Sequence, residues 1–253
     1  MTVEPLAHLD TGGDLPAIVF VHGMTFSKRT WDPIVDRLRD RFRCLTVDLP
    51  GHGDSPGSGA DPQQVVARIR ATVVANDVVR PVVVGHSAGA IHVTAYAANH
   101  STAGALNVDQ PLRVAAFASF LQQLAPALRG PDFATAFEPF TASIGVAGLP
   151  EPERARVIAT QRINQELVLD HWCKPLTTSP ADLQAEIDAL LDRVVVPYLW
   201  LAGGPVDAAD RDHLLAHVAQ GQVESWSHAG HMAHLAEPDR FADRVAQFVI
   251  DAP

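Results

Sequence analysis

The sequence predicts an α/β fold with a mostly parallel central sheet, and three observations support this prediction. Short apolar runs at 17–21 and 82–84 have the continuous hydrophobic character of strands that are buried on both faces. Helical spacing of apolar residues follows such runs, so strands and helices alternate along the chain. Alternating elements of this kind are joined by right-handed crossovers, which make the strands parallel. The carboxyl ends of the strands therefore meet at one edge of the sheet, where ligands bind.

Length and composition are typical of one globular domain with an insertion. Of 253 residues, 47% are hydrophobic and 19% charged, which favours a packed core over disorder. The net charge of −10 argues against nucleic acid and anionic membrane surfaces as partners, since both require clustered Lys and Arg. We expect no membrane span, because no apolar run approaches 18 residues.

The N-terminal segment and the cysteines predict the cellular compartment. Met1–Asp10 lacks the basic flank and the apolar stretch of a signal peptide. Two cysteines, Cys44 and Cys173, are too few for a disulfide framework. We therefore expect a cytoplasmic protein, and the sequence makes no prediction of its oligomeric state.

The hydrophobic pattern places further elements in chain order. Val3–Asp10 is predicted to be an edge strand, and Thr30 the N-cap of the helix that follows the second strand. A helix is expected around 62–74, and a last amphipathic helix begins at Pro238. The remaining predicted strands lie at 44–48, 104–109, 194–202 and 223–226.

The alternation of strands and helices stops between about residues 120 and 178. This region has helical patterns and several prolines, but no convincing strand pattern. An all-helical insertion of about 60 residues over a sheet edge is typical of a lid. We predict a core formed by residues 1–118 and 180–253, with a helical lid at 119–179.

The segment from Val82 to Tyr96 carries the strongest functional signal. Its strand leads directly into Gly85-His86-Ser87-Ala88-Gly89, and a helix of small residues follows. A strand-to-helix turn this sharp has no room for side chains at Gly85 and Gly89. It places Ser87 at the carboxyl edge of the sheet with its hydroxyl free, so we predict that Ser87 is a nucleophile.

A serine nucleophile requires a base, and the base requires an acid to orient it. His231 follows a late strand in a Gly-His sequence and is the predicted base. Asp207, three residues beyond Gly204 after the preceding strand, is the preferred acid. Asp109, which closes the strand after the nucleophile helix, is the alternative.

Three histidines of one loop, His228, His231 and His234, raise the question of a metal site. No metalloprotease motif or carboxylate-bearing ligand set accompanies them. We therefore predict neither a metal nor an organic cofactor.

Five segments together resemble the α/β-hydrolase superfamily of esterases, lactonases and related enzymes. They are FVHGM at 20–24, VDLPGHGDS at 47–55, VVVGHSAGA at 82–90, GGPVD at 203–207 and HAGHMAHLAEPDRF at 228–241. The chain order Ser87, Asp207, His231 agrees with this family. The resemblance implies an oxyanion hole formed by the backbone N–H groups of Met24 and Ala88.

The resemblance also implies a reaction class. Relatives that act on haloalkanes or epoxides have Asp at the nucleophile position, whereas Ser87 suits acyl transfer, because water can hydrolyse the resulting ester. We expect hydrolysis of an apolar carboxylic ester or lactone. A cofactor-free C–C bond hydrolase, a perhydrolase and a slow-turnover ligand-sensing receptor of the same fold are the alternatives. The candidate pocket residues are His22, His86, Phe117, Phe120 and Trp172, with ordinary packing or bracing of the oxyanion loop as the competing role.

Overall fold

The computed structural model describes residues 3–252, and a seven-stranded sheet forms its centre. The strands are β1 His8–Asp10, β2 Ala17–Val21, β3 Arg43–Val47, β4 Val82–His86, β5 Gly104–Val108, β6 Tyr198–Ala202 and β7 Gly221–Ser225. Their order across the sheet is β1-β3-β2-β4-β5-β6-β7. Every neighbouring pair is parallel except β1 with β3, which is antiparallel. The predicted fold class is confirmed.

Helices cover both faces of this sheet. They are α1 Asp32–Leu38, α2 Pro62–Ala75, α3 Ala88–Asn99, α4 Ala115–Arg129, α5 Phe133–Ile144, α6 Glu153–Thr160, α7 Gln165–His171, α8 Cys173–Thr177, α9 Pro180–Leu191, α10 Ala208–His217, α11 Ala233–Ala236 and α12 Pro238–Asp251. Two 3-10 helices lie at Lys28–Trp31 and Val146–Gly148. Over residues 3–252, none of the helices combines the length and apolarity needed to cross a bilayer.

Two apolar layers hold the helices against the sheet. Successive residues of a strand point to opposite faces, so Ile18 and Phe20 pack on one side of β2 and Val19 and Val21 on the other. The first side includes residues of α1 and α12, and the second includes residues of α2, α3, α9 and α10. Full burial of a side chain such as Phe20 stabilises the fold by about 1.5–3 kcal/mol, which fixes the strands that carry the site.

The segment between β5 and β6 is helical throughout the region where the sequence predicted a lid. Helices α4 to α8 lie here, and no strand occurs between them in the described chain. The first of these helices begins at Ala115, four residues before the predicted boundary at 119. The helices of this segment share an apolar cluster that is separate from the two layers on the sheet. It is formed by Leu121, Ala125, Leu128, Phe137, Val168 and Leu176. The role of 119–179 as a lid stays a prediction, and residues 1, 2 and 253 of the predicted core lie outside the described range.

The strand predicted at 194–202 begins only at Tyr198, the strand predicted at 223–226 lies at Gly221–Ser225, and two further local predictions also differ from the structure. Thr30 does not cap α1: it is fully buried inside the 3-10 helix Lys28–Trp31, and Trp31 occupies the N-cap position. The chain makes this tight turn first, and Pro33 then opens the α-helix. The first strand is only His8–Asp10, because it pairs solely with β3 at the edge of the sheet.

Candidate active site

The turn between β4 and α3 holds Ser87 in a strained backbone conformation. Its φ is 51° and its ψ is −125°, a region that non-glycine residues enter at a cost of roughly 1–3 kcal/mol. The Ser87 N–H donates to the carbonyl of Val108 on the adjacent strand at 2.9 Å, and its carbonyl accepts from Ala90 at 2.8 Å. Its hydroxyl does not cap α3. The backbone is thus fixed from both sides while the nucleophilic oxygen is left available.

Three glycines allow the backbone segments around Ser87 to approach one another. A Cβ at Gly85 would overlap the backbone of Gly89, and a Cβ at Gly89 would overlap the carbonyls of Val21 and His22. A Cβ at Gly23 would lie 3.0 Å from Cβ of Ser87. The loop after β2 is therefore in direct contact with the serine turn.

Asp109 and His231 form a hydrogen-bonded pair at the carboxyl edge of the sheet. The Nδ1 atom of His231 lies 2.7 Å from Oδ2 of Asp109, and both side chains are about one-quarter to one-fifth exposed, at 24% and 21%. A carboxylate only accepts hydrogen bonds, so the ring proton is on Nδ1 and the lone pair is on Nε2. The other carboxylate oxygen of Asp109 accepts the Gly203 N–H at 2.7 Å. With both oxygens engaged, Asp109 holds the imidazole in one tautomer.

Asp207 is not near this pair, and the preferred assignment of the acid is corrected. Its carboxylate caps α10 by accepting the Ala209 N–H at 2.9 Å, and it is exposed to solvent. Asp207 lies in the loop after β6, directly before α10. The Gly203 N–H of the same loop instead turns towards Asp109. The alternative acid, Asp109, is the one that the structure places against His231.

His86 ties the histidine loop to the serine turn. Its Nε2 donates to the backbone carbonyl of His231 at 2.8 Å, and the two rings lie 4.7 Å apart. The Ser87 hydroxyl and Nε2 of His231 form no hydrogen bond with each other among residues 3–252. Catalytic contacts of this kind are often long before a substrate binds. The His86 contact therefore joins the loop that carries His231 to the turn that carries Ser87.

The two backbone amides predicted to form an oxyanion hole, those of Met24 and Ala88, have no hydrogen-bond acceptor within residues 3–252. Ala88 is the first residue of α3, so its N–H has no partner within that helix. The N–H of Met24, in the loop after β2, likewise has no protein acceptor within the described chain. Both amides flank the contact between Gly23 and Ser87.

Thr25 fixes the loop that carries the Met24 amide, and it is braced from three directions. Its φ is 72° and it is fully buried. The Thr25 N–H donates to Nε2 of His52 at 3.0 Å. Its carbonyl accepts the Arg162 N–H at 2.8 Å, and its hydroxyl accepts from the Gln161 amide at 3.1 Å. The segment between α6 and α7 is therefore bonded directly to the residue after Met24.

The imidazole of His52 is suited to this contact because it is neutral. Burial, together with repulsion from the neighbouring His22 and His171, lowers the pKa of His52 to about 2. Its Nδ1–H donates to the Pro50 carbonyl at 3.1 Å, which leaves Nε2 as an acceptor for Thr25. His171 of α7 donates to the same carbonyl at 2.9 Å and packs edge-on against His52.

His22 and His86 have no exposed surface, so of the two roles that the sequence left open their contacts fit packing and bracing. Both are fully buried beneath the site. His22 donates through Nδ1 to the Gly23 carbonyl at 2.7 Å and accepts the Leu49 N–H at 3.0 Å, and burial lowers its pKa to about 3. Burial also lowers the pKa of His86 well below its usual range. Both rings are neutral and hold backbone segments in place, which is the competing role for His22 and His86.

Aromatic side chains of the helical segment gather beside Met24. Met24 packs against the apolar cluster of the helical segment, which Trp172, Phe133 and Phe140 flank. Phe117 lies edge-on to Trp172 at 5.8 Å, and Phe120 lies 5.9 Å from Phe140. Phe117 and Phe120 are 41% and 51% exposed, which is high for aromatic residues. We call Phe117, Phe120, Phe133, Phe137, Phe140 and Trp172 the aromatic cluster.

Sequence reasoning missed two residues that brace the site, Gln161 and His171. Both lie in or beside helical patterns without a functional motif. Their contacts connect segments more than 100 residues apart. No local signal could have revealed them.

Comparison with known proteins agrees with this geometry. The model of the alpha/beta hydrolase family matches residues 18–244, and the chain belongs to this family. A 2-succinyl-6-hydroxy-2,4-cyclohexadiene-1-carboxylate synthase from Yersinia pestis bv. Antiqua (strain Nepal516) is 28% identical over 92% of this chain and 87% of its own. The predicted superfamily is confirmed.

Solved structures extend the likeness over nearly the whole chain. An enol-lactonase from Burkholderia xenovorans LB400 has a TM-score of 0.78 at 17% identity, covering 97% of this chain and 96% of its own. MenH from S. aureus has a TM-score of 0.74 at 15% identity, covering 98% of each chain. At such low identity these likenesses show a shared fold.

Proposed function

We propose that the protein is a serine hydrolase that cleaves a carboxylic ester or lactone, with Ser87, His231 and Asp109 as its catalytic residues. The observation that carries this proposal is the 2.7 Å contact between Nδ1 of His231 and Asp109, one strand away from a serine with a φ of 51°. This arrangement supplies a nucleophile, a base of defined tautomer and an acid. Membership of the hydrolase family and the enol-lactonase likeness support it.

In the proposed reaction, Oγ of Ser87 attacks the carbonyl carbon while Nε2 of His231 accepts the hydroxyl proton. The negative oxygen of the tetrahedral intermediate accepts hydrogen bonds from the N–H groups of Met24 and Ala88. The C–O bond to the alcohol then breaks, and His231 gives its proton to the leaving alkoxide. Water, deprotonated by His231, attacks the acyl-serine, and the acid is released with Ser87 restored. One ester and one water yield one acid and one alcohol.

The surroundings of Met24 favour an apolar acyl or aryl group. The aromatic cluster lies beside the residue that supplies one oxyanion N–H, so a bound carbonyl would be next to aromatic side chains. Phe117 and Phe120 retain exposed surface that a substrate can cover. Burial of this surface contributes about 25 cal/mol per Å² to binding.

The test is hydrolysis of p-nitrophenyl esters of increasing acyl length and of several lactones by the wild type, Ser87→Ala and Ser101→Ala. Ser101 is an exposed serine on the loop before β5, which makes it a matched control. We expect Ser87→Ala to lower kcat by 10⁴-fold or more, on the order seen when other serine hydrolases lose their nucleophile. The Ser101→Ala variant should keep wild-type rates. Equal rates in Ser87→Ala and the wild type would contradict the proposal.

A second candidate is the reaction of the Yersinia relative, because its 28% identity extends over 92% of this chain. The product named for that synthase carries two carboxylates, whereas apolar side chains pack on Met24 here. One further assay distinguishes the synthase reaction from ester hydrolysis. It supplies the precursor used by such synthases and measures formation of 2-succinyl-6-hydroxy-2,4-cyclohexadiene-1-carboxylate alongside the ester assays. Synthase turnover without ester turnover would favour this second candidate.

A further inference from the structure

Helices α9 and α10 bring three metal-ligating side chains together at the surface, away from Ser87. Asp188 lies on α9, and His213 and His217 lie one helical turn apart on α10. One ligand atom from each of these residues lies within 4.8 Å of the other two. Oxygen and imidazole nitrogen donors at this spacing can bind one ion.

The distances require only a small adjustment to admit an ion. Nε2 of His213 lies 2.8 Å from Oδ1 of Asp188. Two ligand atoms about 2.0–2.1 Å from a tetrahedral zinc ion are about 3.3 Å apart. Parting this pair by about half an ångström therefore makes room for the metal between them, and the ion replaces the proton on Nε2 of His213.

A fourth side chain orients the second histidine. Nδ1 of His217 lies 2.7 Å from Oδ1 of Asp192, the residue that follows α9. The carboxylate accepts the Nδ1 proton, so the lone pair of His217 is on Nε2. Carboxylates bound to the outer nitrogen of a metal-ligating histidine commonly fix its tautomer in this way. Asp192 would act as this outer partner.

We propose that Asp188, His213 and His217 form a binding site for a divalent transition-metal ion of the zinc type, with water completing the coordination. Two imidazoles and one carboxylate favour zinc over magnesium or calcium, which prefer oxygen ligands throughout. The site would join α9, which leads into β6, to α10, which connects β6 to β7. Its expected effect is on stability, since none of its ligands belongs to the proposed catalytic group.

The proposed ligands and Asp192 are arranged as two Asp–His pairs between α9 and α10. Asp188 on α9 and Asp192 just after it are four positions apart, as His213 and His217 are on α10, and each carboxylate contacts one of the two histidines. The Gln184 side chain donates to Oδ1 of Asp188 at 2.7 Å. This contact within α9 gives Oδ1 of Asp188 a second hydrogen-bond donor besides His213.

The test measures Zn²⁺ binding by titration calorimetry on tag-free protein treated with a chelator, with MgCl₂ titrated in parallel. The variants are His217→Ala, Asp188→Asn and the double variant His213→Ala/His217→Ala, with His100→Ala as a histidine control outside the cluster. We expect one Zn²⁺ per chain in the wild type and in His100→Ala. Affinity should fall at least tenfold in each single cluster variant, and Mg²⁺ should not bind.

Thermal unfolding supplies an independent readout. Zinc at about 100 times its Kd should raise the Tm of the wild type by on the order of 5 °C, and it should leave the Tm of the double variant unchanged. Comparing the variants without zinc identifies any loss of folding. Equal zinc affinity in the wild type and the double variant, or absence of saturable binding in the wild type, would overturn the proposal. Ester hydrolysis by the double variant should remain at the wild-type rate, so failure here is distinguishable from failure of the hydrolase proposal.

Discussion

Ser87 and Asp109 directly follow neighbouring parallel strands, and both have a positive φ, of 51° and 56°. The Ser87 N–H donates to Val108, and the Asp109 N–H donates to Leu201 at 2.8 Å, so each residue is held by the next strand of the sheet. Such strain persists only where the surrounding structure enforces it. Both residues therefore lie at the carboxyl edge of the sheet, where the Asp109 carboxylate contacts His231.

Asp109→Asn and Asp207→Asn form a matched pair that tests the acid. Asn at 109 cannot hold the His231 tautomer as a carboxylate does, so kcat should fall by about 10³–10⁴-fold. Asn at 207 can still cap α10, so activity should stay within about twofold of the wild type. Ester kinetics on both variants measure this, and the reverse order would restore Asp207 as the acid.

Gly203 and Gly204 test the contact between the loop after β6 and the histidine loop. A Cβ at Gly203 would overlap the carbonyl of Gly230, next to His231, whereas a Cβ at Gly204 meets nothing within 4 Å. We expect Gly203→Ala to lower stability by about 1–3 kcal/mol and to reduce activity. Gly204→Ala should do neither. Denaturant unfolding and ester kinetics on the two variants measure both effects. Equal changes in stability and activity in the two variants would show that the contact between Gly203 and Gly230 is unimportant.

Replacement of His52 tests the brace on Thr25. His52→Ala leaves the buried Thr25 N–H without an acceptor, which should cost about 1–3 kcal/mol. Because Thr25 follows the proposed oxyanion residue Met24, kcat should fall with little change in KM. His52→Gln offers an oxygen acceptor and should recover part of kcat. A stability loss with unchanged kcat would assign His52 a purely structural role.

His234→Leu tests the pH dependence of stability. Burial lowers the pKa of His234 to about 3, and neither ring nitrogen has a hydrogen-bond partner among residues 3–252. Between pH 6.5 and 3 the unfolded state binds a proton that the folded state does not, so stability is lost as the pH falls. Between pH 7.5 and 5.0 this one residue accounts for about 2 kcal/mol.

The variant should therefore lose about 2 kcal/mol less stability than the wild type over that interval. Urea unfolding at both pH values gives the difference. His100→Leu is a suitable comparison, because burial lowers the pKa of His100 without enclosing the ring fully. An unchanged pH dependence in His234→Leu would show that His234 does not titrate as described.

The local pattern of the chain was sufficient to predict the central sheet and two members of the proposed catalytic group, Ser87 and His231. Buried strands appear as continuous apolar runs, and the glycines around Ser87 mark a turn that admits no Cβ, so both features are written in adjacent residues. His231 was found because it follows a strand in a Gly-His sequence. The length of β1 and the start of α1 were predicted less well, since edge pairing and the 3-10 turn at Lys28–Trp31 depend on distant contacts.

The sequence by itself determined the fold family, the strand-turn-helix around Ser87 and the position of His231, because each depends on short-range spacing of glycine, apolar and polar residues. Only the tertiary structure decided between Asp109 and Asp207. Both aspartates end or follow a strand, but one accepts the Gly203 N–H and contacts His231 while the other caps α10. That choice depends on contacts that the loops after β6 and β7 make with the residue that follows β5. The hydrogen bonds concerned join residues 94 and 122 positions apart, so they produce no periodic pattern in the sequence.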